Sequence, residues 1–328
     1  MSRSRVLGLW SAPDADVGDA EAAIRRIRAC DPAGSIRNAV VSLVTLVDDD
    51  RRNATAALRA TGALGRRVPG RCIVVSTFAA RPAGMKASIN VSLVERTDTK
   101  SVCVEHVRLY VNGGAIANLS SIVEPWILPG LPLAVWLPGR LPRRGEPVVT
   151  RANQVIIDSA RIGRPLAELD LAGLGELGTT DLAWIRLRPW RLLLADSFQG
   201  ADISPFALGV EHADITGTRP WSTLLAGWLM SRLELSPANI RLADGDQPKV
   251  QIRARHRDRQ AELLIEAVDA YEVRVATTVV GNAARRRLVR LPERFLVDDL
   301  EDALRSRPGP DATWMRAAVS AIDLLEHQ

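Results

Sequence analysis

The feature that most constrains the fold is a series of short apolar runs spaced through the first 160 residues. Asn38 to Val47, Arg71 to Thr77, Ser88 to Val94, Ser101 to Val111, Leu133 to Leu137 and Val155 to Ile157 are rich in Val, Leu, Ile and Thr, and their lengths suit buried strands. Helical patterns lie between them. Asp19 to Cys30 is short and Arg-rich, Arg52 to Ala63 follows, and Ala115 to Ile127 puts Ile116, Leu119, Val123 and Trp126 on one face, with Pro125 bending its last turn. Alternating strands and helices predict an α/β N-terminal domain with a mixed, partly antiparallel sheet.

The rest reads as an α+β C-terminal domain. A strand is expected near Phe206 to Ile215, then a helix from Pro220 to Leu235 opened by Thr218. Val250 to Arg255, Ala261 to Val268 and Tyr271 to Val279 form a three-strand meander, followed by Arg286 to Leu291 and two terminal helices, the last over Ala312 to Leu325. The expected divisions are 1–35 as an N-terminal helical segment, 36–162 as the α/β domain, 163–178 as a Gly/Leu-rich linker and 179–328 as the α+β domain.

Composition excludes some classes. With 328 residues, 47% hydrophobic and 25% charged, the chain can build proper cores and is not a disordered type. Three lysines stand against 40 arginines, a bias suggesting a GC-rich bacterial genome, and a net charge of +5 is too thin to argue for nucleic acid. No apolar run is long enough to span a bilayer, and Met1 to Val17 lacks the apolar centre of a signal peptide, so a cytoplasmic protein is expected. Cys30, Cys72 and Cys103 are widely spaced with no CxxC pair, the pattern of reduced thiols, with Cys72 and Cys103 as core residues.

Asp181 to Arg191, Asp-Leu-Ala-Trp-Ile-Arg-Leu-Arg-Pro-Trp-Arg, packs two tryptophans and three arginines into eleven residues. Trp and Arg are enriched where proteins bind one another. Capped by Thr179 or Thr180, a helix here runs an apolar stripe through Ala183, Leu187, Trp190, Leu194 and Phe198, with Trp184, Arg188 and Arg191 along one flank and Arg186 on the other. Arg188 is placed to stack on Trp184, and Pro189 predicts a kink or a second helix start. Trp184, Arg186, Arg188 and Arg191 are the partner-interface candidates, and Trp190 is read as structural. A buried amphipathic helix with arginine stems along its edges explains the same pattern.

Other constellations are weaker. Gly173-Leu-Gly-Glu-Leu-Gly178 matches GxGxxG without the preceding buried strand that a dinucleotide site needs. The four histidines form no metal or catalytic spacing, so neither a catalytic residue, a metal nor a cofactor is assigned. Asp158-Ser159, at the end of a strand, sits where α/β sheets place ligands or, equally, where a turn is capped. Arg253 to Arg259 and Arg285 to Arg287 are basic clusters with few aromatics near them, read as solvated hairpin ends or as a site for a sugar phosphate or acidic partner patch.

Four blocks in order, Cys103-Val-Glu105, Leu131-Pro-Leu-Ala-Val-Trp136, Val155-Ile-Ile-Asp-Ser159 and the Trp184 to Arg191 helix, resemble the OpcA family of glucose-6-phosphate dehydrogenase assembly proteins. The resemblance covers roughly Asn38 to Leu235. It implies a non-catalytic protein that binds glucose-6-phosphate dehydrogenase, promotes its active oligomer and raises NADPH formation at the entry to the oxidative pentose phosphate pathway. No nucleic-acid or membrane partner is implied. Photosynthetic relatives link activation to thiol redox state, and this chain departs from them in having no cysteine after Cys103. The alternative is a sugar-phosphate-binding protein or enzyme that uses the N-terminal α/β domain.

Overall fold

A computed structural model of the chain describes residues 4–30, 39–97, 100–162, 170–306 and 311–327. The chain divides into two compact units.

The first unit is an α/β region around an eight-stranded mixed sheet. Its strands are β1 (Ser4–Ala12), β2 (Val41–Val47), β3 (Gly70–Phe78), β4 (Gly84–Thr97), β5 (Lys100–Asn112), β6 (Leu133–Leu137), β7 (Gln154–Ile157) and β8 (Thr179–Asp181), in the order β1-β4-β5-β3-β2-β6-β7-β8. The strands from β5 across to β7 run parallel, and β4 and β1 add to one side antiparallel. Helices α1 (Val17–Ala29) and α2 (Arg51–Leu64) start at aspartates: Asp16 accepts from the Asp19 amide, and Asp50 accepts from Arg52 and Asn53. The central strands β2, β3, β6 and β7 are buried on both faces, as Leu43, Val44, Ile73, Trp136 and Ile156 show, whereas β5 buries Val107 and Leu109 on one face only.

Residues 1–35 contain an edge strand, β1, as well as the expected helix. The expected helix over Ala115 to Ile127 is broken into a 3₁₀ turn at Gly113–Asn118, a short α3 (Leu119–Val123) and a second 3₁₀ turn at Glu124–Trp126. Pro125 sits at the junction, where its ring and missing N–H stop the α-helical ladder. A four-residue α4 (Pro147–Thr150) precedes β7.

The second unit is α+β. It comprises α5 (Leu171–Glu176), α6 (Leu182–Arg186), α7 (Arg188–Ser197), β9 (Val210–Thr216), α8 (Arg219–Leu233), β10 (Ile240–Ala243), and the meander β11 (Lys249–His256), β12 (Arg259–Ala267), β13 (Glu272–Val279) and β14 (Arg285–Arg290). The sheet order is β10-β9-β11-β12-β13-β14, antiparallel except for β9 with β10. Next comes α9 (Leu296–Arg305), which belongs to the first unit, where Arg67 pairs with Asp298 and Glu301 and Gln154 donates to the Ala303 carbonyl. The last helix, α10 (Ala312–Glu326), returns to the second unit and packs on α8. Helix α8 is buried continuously from Ser222 to Met230, so it is a core helix rather than an amphipathic one. Residues 163–169 of the expected linker lie outside the described residues, and 171–176 are helical.

Cys72 and Cys103 are buried, as their core reading requires, and burial pushes the Cys72 thiol up to about 12. Cys30 is exposed and donates weakly to the Arg26 carbonyl. One thiol per native chain therefore reacts with a colorimetric disulfide reagent, and all three react in denaturant. Fast reaction of two or more thiols in the native protein would contradict this packing.

Candidate functional site

The Trp/Arg block folds as two helices, not one. Pro189 lies in the first turn of α7, where a missing N–H costs nothing, and Leu187 joins it to α6. The cap differs from the expected one: Thr179 and Thr180 are strand residues of β8, and Asp181 caps α6 by accepting from the Ala183 amide at 3.0 Å. The break also rotates the flank. Arg191, rather than Arg188, lies over the Trp184 ring, its guanidinium carbon 3.5 Å from the centroid, and Arg191 donates to the Trp184 carbonyl. Burial pulls Arg191 down to about 10, with Asp311 opposing and Arg188 and Arg232 adding to the fall; at neutral pH it keeps its charge.

Trp184, one of the interface candidates, is 5% exposed and offers little of its ring to a partner. Its indole N–H donates to Asp311 at 2.9 Å, while Asp311 caps α10 by accepting from the Thr313 and Trp314 amides. The reverse bond also exists. Trp314, on α10, donates its indole N–H to Asp181 at 3.3 Å, so each helix's capping aspartate holds the tryptophan of the other. Asp181-Leu-Ala-Trp184 and Asp311-Ala-Thr-Trp314 share one spacing, a signal present in the sequence that the interface reading passed over. Trp190, the residue read as structural, is buried and packs edge-on against Trp221. Asp311→Ala removes a cap of about 1 kcal/mol and leaves the Trp184 N–H unpaired for about 1–3 more, so the urea midpoint falls with little change in slope. An unchanged midpoint would show the reciprocal bonds to be idle.

What remains outward is narrower than the candidate set. Arg188 and Leu192 are exposed one turn apart on α7, Leu192 at 60%, with Ala195 and Asp196 following on the same side. Arg186 and Arg191 are half-buried beside them.

Asp158 and Ser159 are buried at 1% and 6% exposure. Asp158 sits at the cap position of a 3₁₀ turn, but its carboxylate reaches Arg161 at 3.3 Å rather than the turn's amides. The parallel sheet has its switch point at β2, between β3 and β6, and the crevice at the strand ends there is filled by the protein's own charges. Asp48 takes Arg143 at 2.6 Å and Thr77 at 3.3 Å, and Arg140 bridges to Glu146 at 2.6 Å. The glycines of Gly173 to Gly178 lie in and just after helix α5, the wrong setting for a phosphate loop. Arg253 and Arg255 pair with Asp214 and Glu211 on β9, leaving Arg257 at the hairpin turn. Among the described residues no group of three or more His, Cys, Asp or Glu comes together as a metal site, and no helix is long and apolar enough to cross a membrane.

The Cys103-Val-Glu105 block builds a buried ion triad. Glu105 accepts from Arg28 at 2.5 and 2.6 Å and from Arg71 at 2.8 Å, and Arg71 also donates to the Trp126 carbonyl at 2.8 Å. Burial alone would raise the Glu105 carboxyl, but the hydrogen bonds and charge of Arg28 and Arg71 outweigh it and hold the carboxyl below the usual range.

These blocks have relatives. Residues 61–173 match the family model described as the glucose-6-phosphate dehydrogenase subunit N-terminal domain, and residues 177–318 match that of the C-terminal domain. The protein named OxPP cycle protein OpcA from Nostoc punctiforme is 26% identical over 219 residues, covering 63% of this chain and 47% of the relative. Its namesake from Synechocystis is 26% identical over 190 residues (54% and 40%), and that from Synechococcus elongatus 27% over 188 (54% and 42%). The chain spans under half the length of the curated relatives it matches. With both domain models matched in chain order, the chain belongs to the OpcA family of glucose-6-phosphate dehydrogenase assembly proteins.

Proposed function

We propose that this chain is a non-catalytic assembly factor and allosteric activator of glucose-6-phosphate dehydrogenase in the oxidative pentose phosphate pathway, acting in the cytoplasm by protein–protein binding. The observation that carries the reading is the ordered match of both its halves to the two domains of a dehydrogenase-subunit family. The geometry supports it locally: α7 presents Arg188 and Leu192 outward from a frame fixed by the two Asp–Trp bonds, an arginine and an apolar side chain on a rigid element. Activation follows from population shift, in which the factor binds the competent conformation of the dehydrogenase more tightly than its slack one. A differential affinity of about 1–3 kcal/mol gives roughly 5- to 150-fold.

The test is a titration of this protein into its cognate dehydrogenase at subsaturating glucose 6-phosphate, following NADPH. A saturable rise supports the reading, and a flat response with active dehydrogenase overturns it. Arg188→Glu and Leu192→Asp should each raise the half-saturating concentration by about tenfold without moving the melting temperature. Trp184→Phe should act mainly through stability. Wild-type activation by both α7 variants would remove α7 from the interface.

A further inference from the structure

We propose that a groove on the first unit, between α2 and the open face of β4 and β5, binds a small phosphorylated anion. This site is separate from α7 and does not depend on the dehydrogenase reading.

The groove follows from how α2 meets the sheet. Across β4 and β5 the register sets Ser92 opposite Val104, Asn90 opposite His106 and Ser88 opposite Arg108. Gly65, at the end of α2, lets the helix close on this face: a Cβ there would overlap a Val104 methyl and lie 2.9 Å from His106 Nε2. Past that point the face is uncovered, and a cavity of about 420 Å³ opens, with Leu58, Ala63, Val94 and Val104 as its apolar surfaces. A second hollow of about 310 Å³ adjoins it and shares Asn90, His106 and Arg108. Both lie in the size range of small-molecule sites.

Charge decides what fits. Arg59 and Arg66 enter from the α2 side and Arg108 from β5, and neither hollow is lined by a carboxylate. Elsewhere in this unit Arg28, Arg67, Arg71, Arg140, Arg143, Arg151 and Arg161 each meet an acid; these three form no ion pair among the described residues. Like charges gathered around one concavity without a counter-ion focus a positive potential into it. Burial, then the charges of Arg108 and Arg66, pull His106 down to about 4, so at neutral pH it is an uncharged hydrogen-bonding group on the floor. Ser92 donates its hydroxyl to the Asn90 amide oxygen at 2.9 Å, which leaves the Asn90 N–H₂ as the donor here; both residues are half-buried. Guanidinium forks match phosphate oxygens, recessed neutral donors fix orientation, and the apolar surfaces suit a carbon skeleton. A recessed polar floor rimmed by cations favours a compact phosphate ester over the flat acidic surface of a protein.

The test uses the whole chain with pyrophosphate as probe, read by calorimetry and by the His106 ring-proton resonance, assigned with His106→Gln. Saturable binding with a dissociation constant of about 1 mM or tighter, and an upward shift in the His106 titration as added negative charge offsets Arg66 and Arg108, is expected. Arg66→Glu and Arg108→Glu should each weaken binding by about tenfold or more, while Arg286→Glu on β14 leaves it unchanged. Urea midpoints confirm that the variants fold, and the milder Arg59→Gln/Arg66→Gln pair serves if a charge reversal does not. Absence of saturation by about 10 mM, equal weakening by Arg286→Glu, or full binding by the Arg66→Glu/Arg108→Glu pair overturns the proposal. So does a His106 resonance that responds to the dehydrogenase but not to pyrophosphate, which would give the groove to an acidic protein partner.

Discussion

Glu105→Gln lowers the unfolding free energy by about 3–5 kcal/mol, a large part of what a domain of this size holds. The glutamine keeps the shape but removes the charge that two arginines approach in the interior. Arg71 is 4% exposed and its other partner is a neutral carbonyl, so its guanidinium is left buried without a counter-charge. Replacing both partners, as in Arg71→Met with Glu105→Met, should cost less than Glu105→Gln, because the loss comes from an orphaned charge rather than from the net strength of the pair. The pH dependence has a definite sign. The folded carboxyl lies below its unfolded value of about 4.3, so its contribution is complete above that pH and is lost as pH falls through the folded value. Chemical denaturation from pH 7 to pH 3 checks this: the wild type should lose stability below about pH 4.3 more steeply than Glu105→Gln. Superimposable wild-type and variant melts would refute the triad's role.

Gly227→Leu should cost at least about 3 kcal/mol and abolish a single native melting transition. A glycine in mid-helix is ordinarily a liability of about 1 kcal/mol against alanine, so its replacement in an isolated helix would stabilise. Here the sign reverses. A Cβ on Gly227 would press into the Ala317 carbonyl oxygen and sit 2.7 Å from the Ala321 nitrogen and 2.8 Å from its Cβ. These are backbone and methyl atoms of α10, with no rotamer to yield, so the two helices must separate. Even Gly227→Ala should destabilise, and thermal melts of the two variants ranked Leu below Ala below wild type would confirm the close crossing. A stabilising Gly227→Ala would disprove it.

The central strands β2, β3, β6 and β7 are legible because strands covered on both sides must be largely apolar, which leaves a run that neither a loop nor a surface helix shows. β1 is not. An edge strand has one side to satisfy, and Arg5, Gly8 and the exposed Val6 and Leu9 erase its alternation. In the Trp/Arg block, Pro189 signals the helix break but not its rotational consequence, so spacing alone points to Arg188 for the stacking position that Arg191 holds. Interface and core use the same residues, so Trp184 reads either way from sequence, and the group that holds its indole N–H is an aspartate 127 positions away. The Glu105 triad was hidden for the same reason, since Arg28 and Arg71 lie 77 and 34 residues from it. The sequence carries no signal for the groove: Arg59 and Arg66 come from one stretch of chain, and Arg108 joins them through strand register alone.

The return of α9 to the first unit sets the order in which the protein can be completed on the ribosome. Domains generally fold as their residues emerge, at about 5–20 per second. Here the sheet, whose last strand ends at Asp181, must wait for Leu296–Arg305, which supply the Ala303 carbonyl to Gln154 and two carboxylates to Arg67. By then β9 to β14 have already emerged, so the unit that starts first finishes late. A nascent chain stalled before residue 296 therefore carries an open flank on its older half, a natural point of entry for chaperones.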